Sequence, residues 1–275
     1  MNKDLAVLIL AGAMMAACSD GRQRNGVQNA IFADSILMPG DSMDTEVAEN
    51  VPAEADELFD DFFFNYASHK LWQRERTVFP LLVVDGEKTT KIEQHQWKQE
   101  FFFMKQDYYT LLFDSPGQRE LVHDTAMADV TVERIDLEEA RVQQFLFSRR
   151  SGRWMLHEIK WQPLTSNPNA QFLAFYQRFA SDSVFQHKSL ASQIVFSGPD
   201  PDDDFSVING VITPDFWDAF KPELPQPIIY NIVYGQQDPA ATQKIFLLRG
   251  IANELEVEMT FNLQYGRWKL TKLMT

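Results

Sequence analysis

The chain has 275 residues, enough for one large domain or two ordinary ones, and its 45% apolar and 23% charged content is that of a globular protein. A formal net charge of −14 argues against a nucleic-acid partner, because phosphate binding needs clustered Lys and Arg. The single cysteine, Cys18, excludes an intramolecular disulfide, a cysteine zinc cluster and a cysteine nucleophile in the folded part.

The first 17 residues are predicted to be an export signal. The apolar run from Leu5 to Ala17 is too short for a permanent membrane span, which needs roughly 20 residues. The segment Met15-Ala16-Ala17-Cys18 resembles the bacterial lipobox, in which the cysteine receives a lipid and becomes the first residue of the mature chain. We therefore expect Cys18 to anchor the protein in the cell envelope, on the periplasmic or surface face of the outer membrane. An ordinary cleaved signal is the alternative.

Residues 18–56 have the composition of an acidic tether. No Lys or Arg occurs between Arg24 and Lys70, and nine acidic residues lie between Asp41 and Asp61. Low hydrophobicity with like charges favours an extended, solvated chain. Such a spacer would hold a domain away from a membrane. Its last acids would lie in the first turn of a helix, where the helix dipole favours them.

Two amphipathic helices follow, each with apolar residues at three- and four-residue spacing. The second begins near Asn167-Pro168, since Asn is a good N-cap and Pro is favoured at the first helical position. The apolar faces comprise Phe59, Phe62, Phe63, Tyr66 and Ala67 in the first helix, and Phe172, Phe175, Tyr176, Phe179 and Ala180 in the second.

The two helices have matching sequences. Shifted by 113 residues, Phe59 falls on Phe172 and Phe62 falls on Phe175. Near the ends of the two segments, Gly152-Arg153-Trp154 matches Gly266-Arg267-Trp268 at an offset of 114. Agreement at both ends, at nearly one offset, predicts an internal duplication with copies over 57–165 and 166–275.

Each copy is predicted to contain a helix, a strand, a second helix and a run of strands. In the first copy we expect a strand over 77–84, the second helix over 93–104 and strands over 108–113, 128–135, 141–149 and 153–161. In the second copy we expect a short helix from Pro214 and strands over 228–234, 244–251, 254–263 and 267–273. Ser151-Gly152 should form a hairpin turn, since Gly tolerates a positive φ.

This order of elements, with the Phe-x-x-Phe-aromatic helix, resembles the nuclear transport factor 2-like, or cystatin-like, superfamily, and in particular its tandem forms in bacterial lipoproteins of unknown function. The resemblance covers residues 57–275. It implies an α+β fold of two tandem cone-like domains, each with a long helix packed on a curved antiparallel sheet. Members include isomerases, dehydratases, ligand carriers and protein-binding modules, so the fold does not determine the function.

Enzymes of this superfamily place an Asp or His inside the cone, and the sequence offers no convincing set of this kind. His69 lies outside the main apolar stripe and has no matching histidine in the second copy. An aromatic-lined pocket between helix and sheet is natural in the fold, and its candidate residues are Tyr108, Tyr109, Tyr230 and Trp217. We assign no catalytic residue.

Two further patterns fall short of metal sites. His123-Asp124 lacks the additional ligands that a metal phosphohydrolase needs. Asp200, Asp202 and Asp204 have calcium-loop spacing, but Phe205 stands in place of the required Gly, so a solvated turn or a weak, irregular calcium site are the alternatives. We expect no metal and no cofactor.

The sequence therefore predicts an exported, lipid-anchored protein that acts by binding a small molecule or an envelope protein, and that has no nucleic-acid partner. The alternative is an enzyme of isomerase or hydrolase type, with an active site inside one cone. A third alternative is a scaffold whose domains pack pocket to pocket.

Overall fold

A computed structural model describes residues 58–200, 203–251, 253 and 255–275. The signal over 1–17, the lipidation site Cys18 and the tether over 18–56 lie outside these residues and stay predictions. Within the described ranges, no helix is long and apolar enough to cross a membrane.

The two amphipathic helices form where the sequence predicts them, but each is broken near its end. His69 (φ −115°, ψ 116°) separates the first helix from a short continuation, and Asp182 (φ −118°, ψ 103°) does the same in the second half. A single long helix in each half is therefore not confirmed. Asn167 lies just before the second helix, and its Oδ1 accepts a hydrogen bond from the Asn169 backbone amide at 2.8 Å. The α-helices of the described residues are α1 Phe59–Ser68, α2 Lys70–Glu75, α3 Ala170–Ser181, α4 Ser183–Lys188 and α5 Trp217–Phe220.

The strands of the first half are β1 Thr77–Asp85, β2 Lys88–Ile92, β3 Tyr108–Phe113, β4 Asp129–Asp136, β5 Arg141–Arg150 and β6 Arg153–Pro163. Those of the second half are β7 Leu190–Asp200, β8 Asp203–Ile212, β9 Ile228–Tyr234, β10 Gln243–Gly250, β11 Glu256–Gln264 and β12 Arg267–Met274. The nine strands predicted from sequence agree with β1, β3–β6 and β9–β12 within two residues at each end, whereas no strand was predicted at β2, β7 or β8. The hairpin turn also forms as predicted, with Gly152 at φ 81°.

The helix predicted over 93–104 is wrong. Two short 3₁₀ turns, Gln94–Gln96 and Phe102–Lys105, lie there instead. The buried side chain of Gln73 donates to the Glu100 carbonyl at 2.6 Å and accepts from the Glu100 amide at 3.0 Å. The backbone groups that a helix would use are therefore bound by a distant side chain, and Phe102 takes a positive φ of 46°.

The twelve strands of the described residues form one sheet, in the order β2-β1-β6-β5-β4-β9-β3-β10-β11-β12-β7-β8. The two halves exchange a strand at the centre of this sheet. β9, from the second half, completes the first half by pairing antiparallel with β4, while β3 pairs antiparallel with β10. The exchanged strands meet in a short parallel contact at Thr110↔Asn231 and Leu111↔Ile232. Two separate cones are thus not confirmed, because the sheet is continuous.

The two hydrophobic cores lie on opposite faces of the sheet. Leu111 and Phe113 of β3 belong to the core under α1, whereas Leu112 belongs to the core under α3. Neighbouring residues of a strand point to opposite faces, so α1 and α3 cover different sides.

The aromatic contacts in the two cores repeat closely. Phe59 of α1 meets Trp154 edge-on at 5.1 Å and 83° between ring planes, and Phe172 of α3 meets Trp268 at 5.4 Å and 81°. These are the residues that the sequence comparison pairs. The α+β fold with a large sheet therefore packs similar aromatic clusters against its two faces.

Candidate functional site

A cavity of about 400 Å³ lies at the N-terminal end of α1. Its apolar wall includes Phe63, Phe103 and Ile232, and Phe103 stacks on the ring of Tyr109 at 5.0 Å. Its polar wall comes from the first turn of α1 and from the end of β10. The cavity therefore has an apolar wall that can contact the hydrocarbon part of a small ligand and a polar wall that can form hydrogen bonds with it.

The carboxylate of Asp60 is the centre of the polar wall. Tyr234 donates a hydrogen bond to its Oδ1, and Tyr109 donates to its Oδ2 at 3.3 Å. Arg249 Nη1 lies 3.7 Å from the same Oδ2, and Nη2 of this guanidinium lies 3.3 Å from Glu256. We call Asp60, Tyr109, Tyr234 and Arg249 the Asp60 cluster.

Burial sets the protonation of this cluster. It raises the pKa of the Asp60 carboxyl above its usual range, and the hydrogen bonds from Tyr234 and Tyr109 and the charge of Arg249 offset that rise only in part. Burial also raises the pKa of both tyrosine hydroxyls, which therefore stay protonated as donors. A quarter of the Asp60 side chain (25%) remains exposed, so a ligand can reach it.

The exchange of strands assembles the Asp60 cluster. Asp60 comes from α1 and Tyr109 from β3, while Tyr234 and Arg249 come from β9 and β10 of the second half. The register of β3 and β10 places Tyr109 directly opposite Arg249. Neither half of the chain could form the cluster alone.

The corresponding positions of the other core are apolar. On β4 and β9 the equivalent opposed pair is Ile135↔Ile229, and the residue at the place of Asp60 in α3 is Leu173. All three are buried in the core under α3. Because the same framework packs there with apolar residues, the fold itself does not require the polar groups of the Asp60 cluster.

The cluster can bind hydrogen-bonding groups and can exchange a proton. A carboxyl with a raised pKa, reached by solvent and held by two hydroxyl donors, can serve as donor or acceptor near its own pKa. With Asp61 and Glu256 the acidic groups number three, against two guanidinium groups, those of Arg249 and of Arg119, whose Nη2 lies 3.8 Å from Glu256. This charge balance favours a neutral or positively charged ligand over an anion.

Of the four predicted pocket residues, the structure brings Tyr109 to the cavity. Tyr230 packs edge-on against Phe103 in the same core, 6.4 Å away, without lining the cavity. Tyr108 packs against the core on the opposite face of the sheet. Trp217 is fully buried, and its Nε1 donates to Gln186 Oε1 at 2.8 Å.

Sequence reasoning missed Asp60 and Arg249, although a signal was present. At about 100° per residue, Asp60 lies within roughly 20° of Ala67 on the helix, and so at the edge of the apolar face. The second helix has Leu173 at the matching position. An acid that replaces Leu at the edge of a buried face is the pattern that would have identified Asp60.

The other candidates do not form a site in the described part of the chain. His69 and His123 are exposed, and no group of three or more His, Cys, Asp or Glu that could hold a metal occurs in the described residues. A second cavity of about 400 Å³ lies beside Arg141, which stacks over Trp161 and pairs with Asp85 at 3.0 Å.

Comparisons with known proteins identify a matching family and a similar crystal structure. Residues 40–275 match the family model described as a domain of unknown function, DUF4348. A crystallised NTF2-like protein from Bacteroides fragilis NCTC 9343 is 43% identical to this chain, with a TM-score of 0.74, and the match covers 82% of this chain and 98% of that one. Among curated proteins, nothing matches.

Proposed function

Because the chain belongs to the DUF4348 family of NTF2-like proteins, we propose that it is a ligand-binding module whose binding site is the cavity beside the Asp60 cluster. The observation that carries the proposal is the contrast between the two cores. Beside the core under α1 stand Asp60, Tyr109 and Arg249, of which Tyr109 is buried, whereas the equivalent positions of the core under α3 are three buried apolar residues. Desolvating polar groups costs stability, and the core under α3 packs with apolar residues at the same positions, so the half-buried Asp60 cluster supports a role in binding.

The ligand class follows from the lining. An apolar wall suits a hydrocarbon or aromatic body, and the Asp60 carboxyl suits a hydroxyl or amine group on that body. Acidic neighbours make a carboxylate or phosphate ligand unfavourable. We therefore propose a small, partly apolar alcohol or amine.

A fragment screen followed by ligand-observed NMR tests this function. We expect amine and alcohol fragments to bind, carboxylate fragments to bind less, and Asp60→Asn to weaken the best fragment at least tenfold, about 1.4 kcal/mol. Asp85→Asn, an acid of the second cavity, is the matched control and should leave the affinity unchanged. Equal binding by the Asp60→Asn variant would contradict the proposal.

A second candidate is acid–base catalysis in the same cavity. The raised pKa of Asp60 and its two tyrosine donors form an arrangement that can move a proton. We would detect it as exchange of the α-hydrogens of a simple ketone with deuterated water, followed by proton NMR. Exchange that is abolished by Asp60→Asn and reduced by Tyr109→Phe would favour the enzyme. Binding without exchange would favour the module.

We propose further that the chain arose by internal duplication and that Cys18 anchors it by lipid in the cell envelope. The repeated contacts of Phe59 with Trp154 and of Phe172 with Trp268 support the duplication. The apolar run before the single cysteine supports the anchor. In this proposal one core keeps the ligand site, and the other core stabilises the shared sheet.

A further inference from the structure

Lys244 of β10 occupies an unusual position. Among the lysines that the structure describes it alone is buried, with 3% of its surface exposed. Its Nζ donates to Asn169 Oδ1 at 2.5 Å and to Asp114 Oδ1. Asn169 is 2% exposed and the Asp114 side chain 8% exposed. An amine, an amide and a carboxyl group thus meet in a site that excludes water.

The neighbours of this group fix its orientation. The Nδ2 of Asn169 donates to Gln237 Oε1, which turns the carbonyl end of the amide toward the lysine. The backbone amide of Asp238 donates to Asp114 Oδ2 at 2.6 Å, which leaves Oδ1 on Lys244. The three reacting side chains come from distant parts of the chain: the residue after β3, the residue before α3, and β10.

We propose that Lys244 and Asn169 are joined by an intramolecular isopeptide bond. Asp114 takes a proton from Lys244 Nζ across their hydrogen bond and leaves a neutral amine. The amine attacks Cγ of Asn169 and a new Nζ–Cγ bond forms. Asp114 gives its proton to Nδ2, the Cγ–Nδ2 bond breaks and ammonia leaves, and Asp114 then accepts the second proton that Nζ must lose to become the amide nitrogen. The products are a secondary amide and one molecule of ammonia, with no change in oxidation state.

The site supplies what this reaction needs. An amine that is hydrogen-bonded to the amide it attacks, as Lys244 Nζ is to Asn169 Oδ1, reacts far faster than two free groups, because the entropy of bringing them together has already been lost. Lys244 is only 3% exposed, and a desolvated lysine amine is a nucleophile. The bond would tie the start of α3 to the centre of the sheet and would close a long loop between residues 169 and 244.

Peptide mapping of the denatured full chain tests the proposal directly. Trypsin does not cleave after an acylated lysine, so we expect no cleavage after Lys244 and a branched peptide that contains Asn169, lighter than the sum of its parts by one ammonia. An unmodified Lys244 that trypsin cleaves, in a chain of unreduced mass, would overturn the proposal. Loss of water instead of ammonia would make Asp114 the acylated residue and would also overturn it.

Two variants separate the reaction from an ordinary buried ion pair. Asp114→Asn removes the group that carries the proton, so the ammonia should be retained and cleavage after Lys244 should return. Lys269→Arg is the control, because Lys269 contacts only backbone carbonyls in the described residues, at Lys188 and Leu190, and this variant should keep the cross-link. If Asp114→Asn does not fold, the map of the natural chain still decides the question.

Discussion

Replacing Glu133 with Gln should change how the stability of the protein depends on pH. Glu133 is 3% exposed, and its Oε1 accepts hydrogen bonds from Gln144 at 2.9 Å and from Asn167 at 2.8 Å. Its Oε2 makes no hydrogen bond within the described residues, although the nearby Asn231 amide still favours the charged form. Burial is the dominant effect and raises the pKa of this carboxyl above its ordinary value of 4.5.

The raised pKa of Glu133 determines whether the free energy of unfolding rises or falls with pH. The folded protein keeps the proton of Glu133 to a higher pH than the unfolded chain does. The resulting stabilisation is fully present below the unfolded pKa of 4.5 and is lost as the pH rises through the folded pKa. Between these values one proton separates the two states, so the free energy of unfolding falls by up to about 1.4 kcal/mol per pH unit. Gln cannot titrate, so Glu133→Gln should gain stability relative to the natural chain across this window.

Urea denaturation from about pH 4.5 to about pH 8 measures this difference. We expect the stability of Glu133→Gln minus that of the natural chain to rise with pH and then level off above the folded pKa. Glu139→Gln, at an exposed acid in the β4–β5 turn, is the control and should run parallel to the natural chain. Because burial raises the pKa of Asp60 in the same direction, the series is repeated in an Asp60→Asn background. A difference that stays constant with pH would refute the reasoning.

Further predictions concern the core, the turns and the anchor. Phe62→Ala should cost about 3–5 kcal/mol in the free energy of unfolding, because its ring is fully buried, and Phe175→Ala should cost less, because its ring is only partly buried; urea denaturation of both checks the order. Gly152→Ala and Gly266→Ala should each cost about 1 kcal/mol, since φ is 81° and 72° and no atom crowds either position; unequal losses would contradict a purely conformational cost. Cys18→Ala should abolish labelling with a clickable fatty acid and release the protein from membranes; a variant that is still labelled would disprove the lipid anchor.

Local patterns predicted the elements that depend on local physics. The spacing of Phe59, Phe62 and Phe63 identified a buried helical face, and Gly152 identified a hairpin turn. The helix over 93–104 failed because a side chain 27 positions away, Gln73, binds the backbone of Glu100. A pattern within one segment contains no information about such a partner.

The candidate site was harder to predict for the same reason. Tyr109 was identified as an aromatic pocket residue, but its partners Tyr234 and Arg249 come from the other half of the chain. The pairing of β3 with β10 brings Arg249 to Tyr109, and the pairing of β3 with β9 brings Tyr234. Strand pairing at this separation is decided by the whole sheet rather than by any one strand. Asp60 was the exception, since comparison with Leu173 would have revealed it.

The exchange of β3 and β9 also constrains the order in which the chain can fold during synthesis. The first 165 residues contain α1 and β1–β6, yet β4 has no neighbour on its open side until Tyr234 has left the ribosome. An unpaired strand edge exposes backbone groups that invite association with other chains. The nascent N-terminal half therefore stays incomplete until most of the polypeptide has been made. A ribosome that stalls between the two halves would release a fragment whose unpaired β4 edge can associate with other chains.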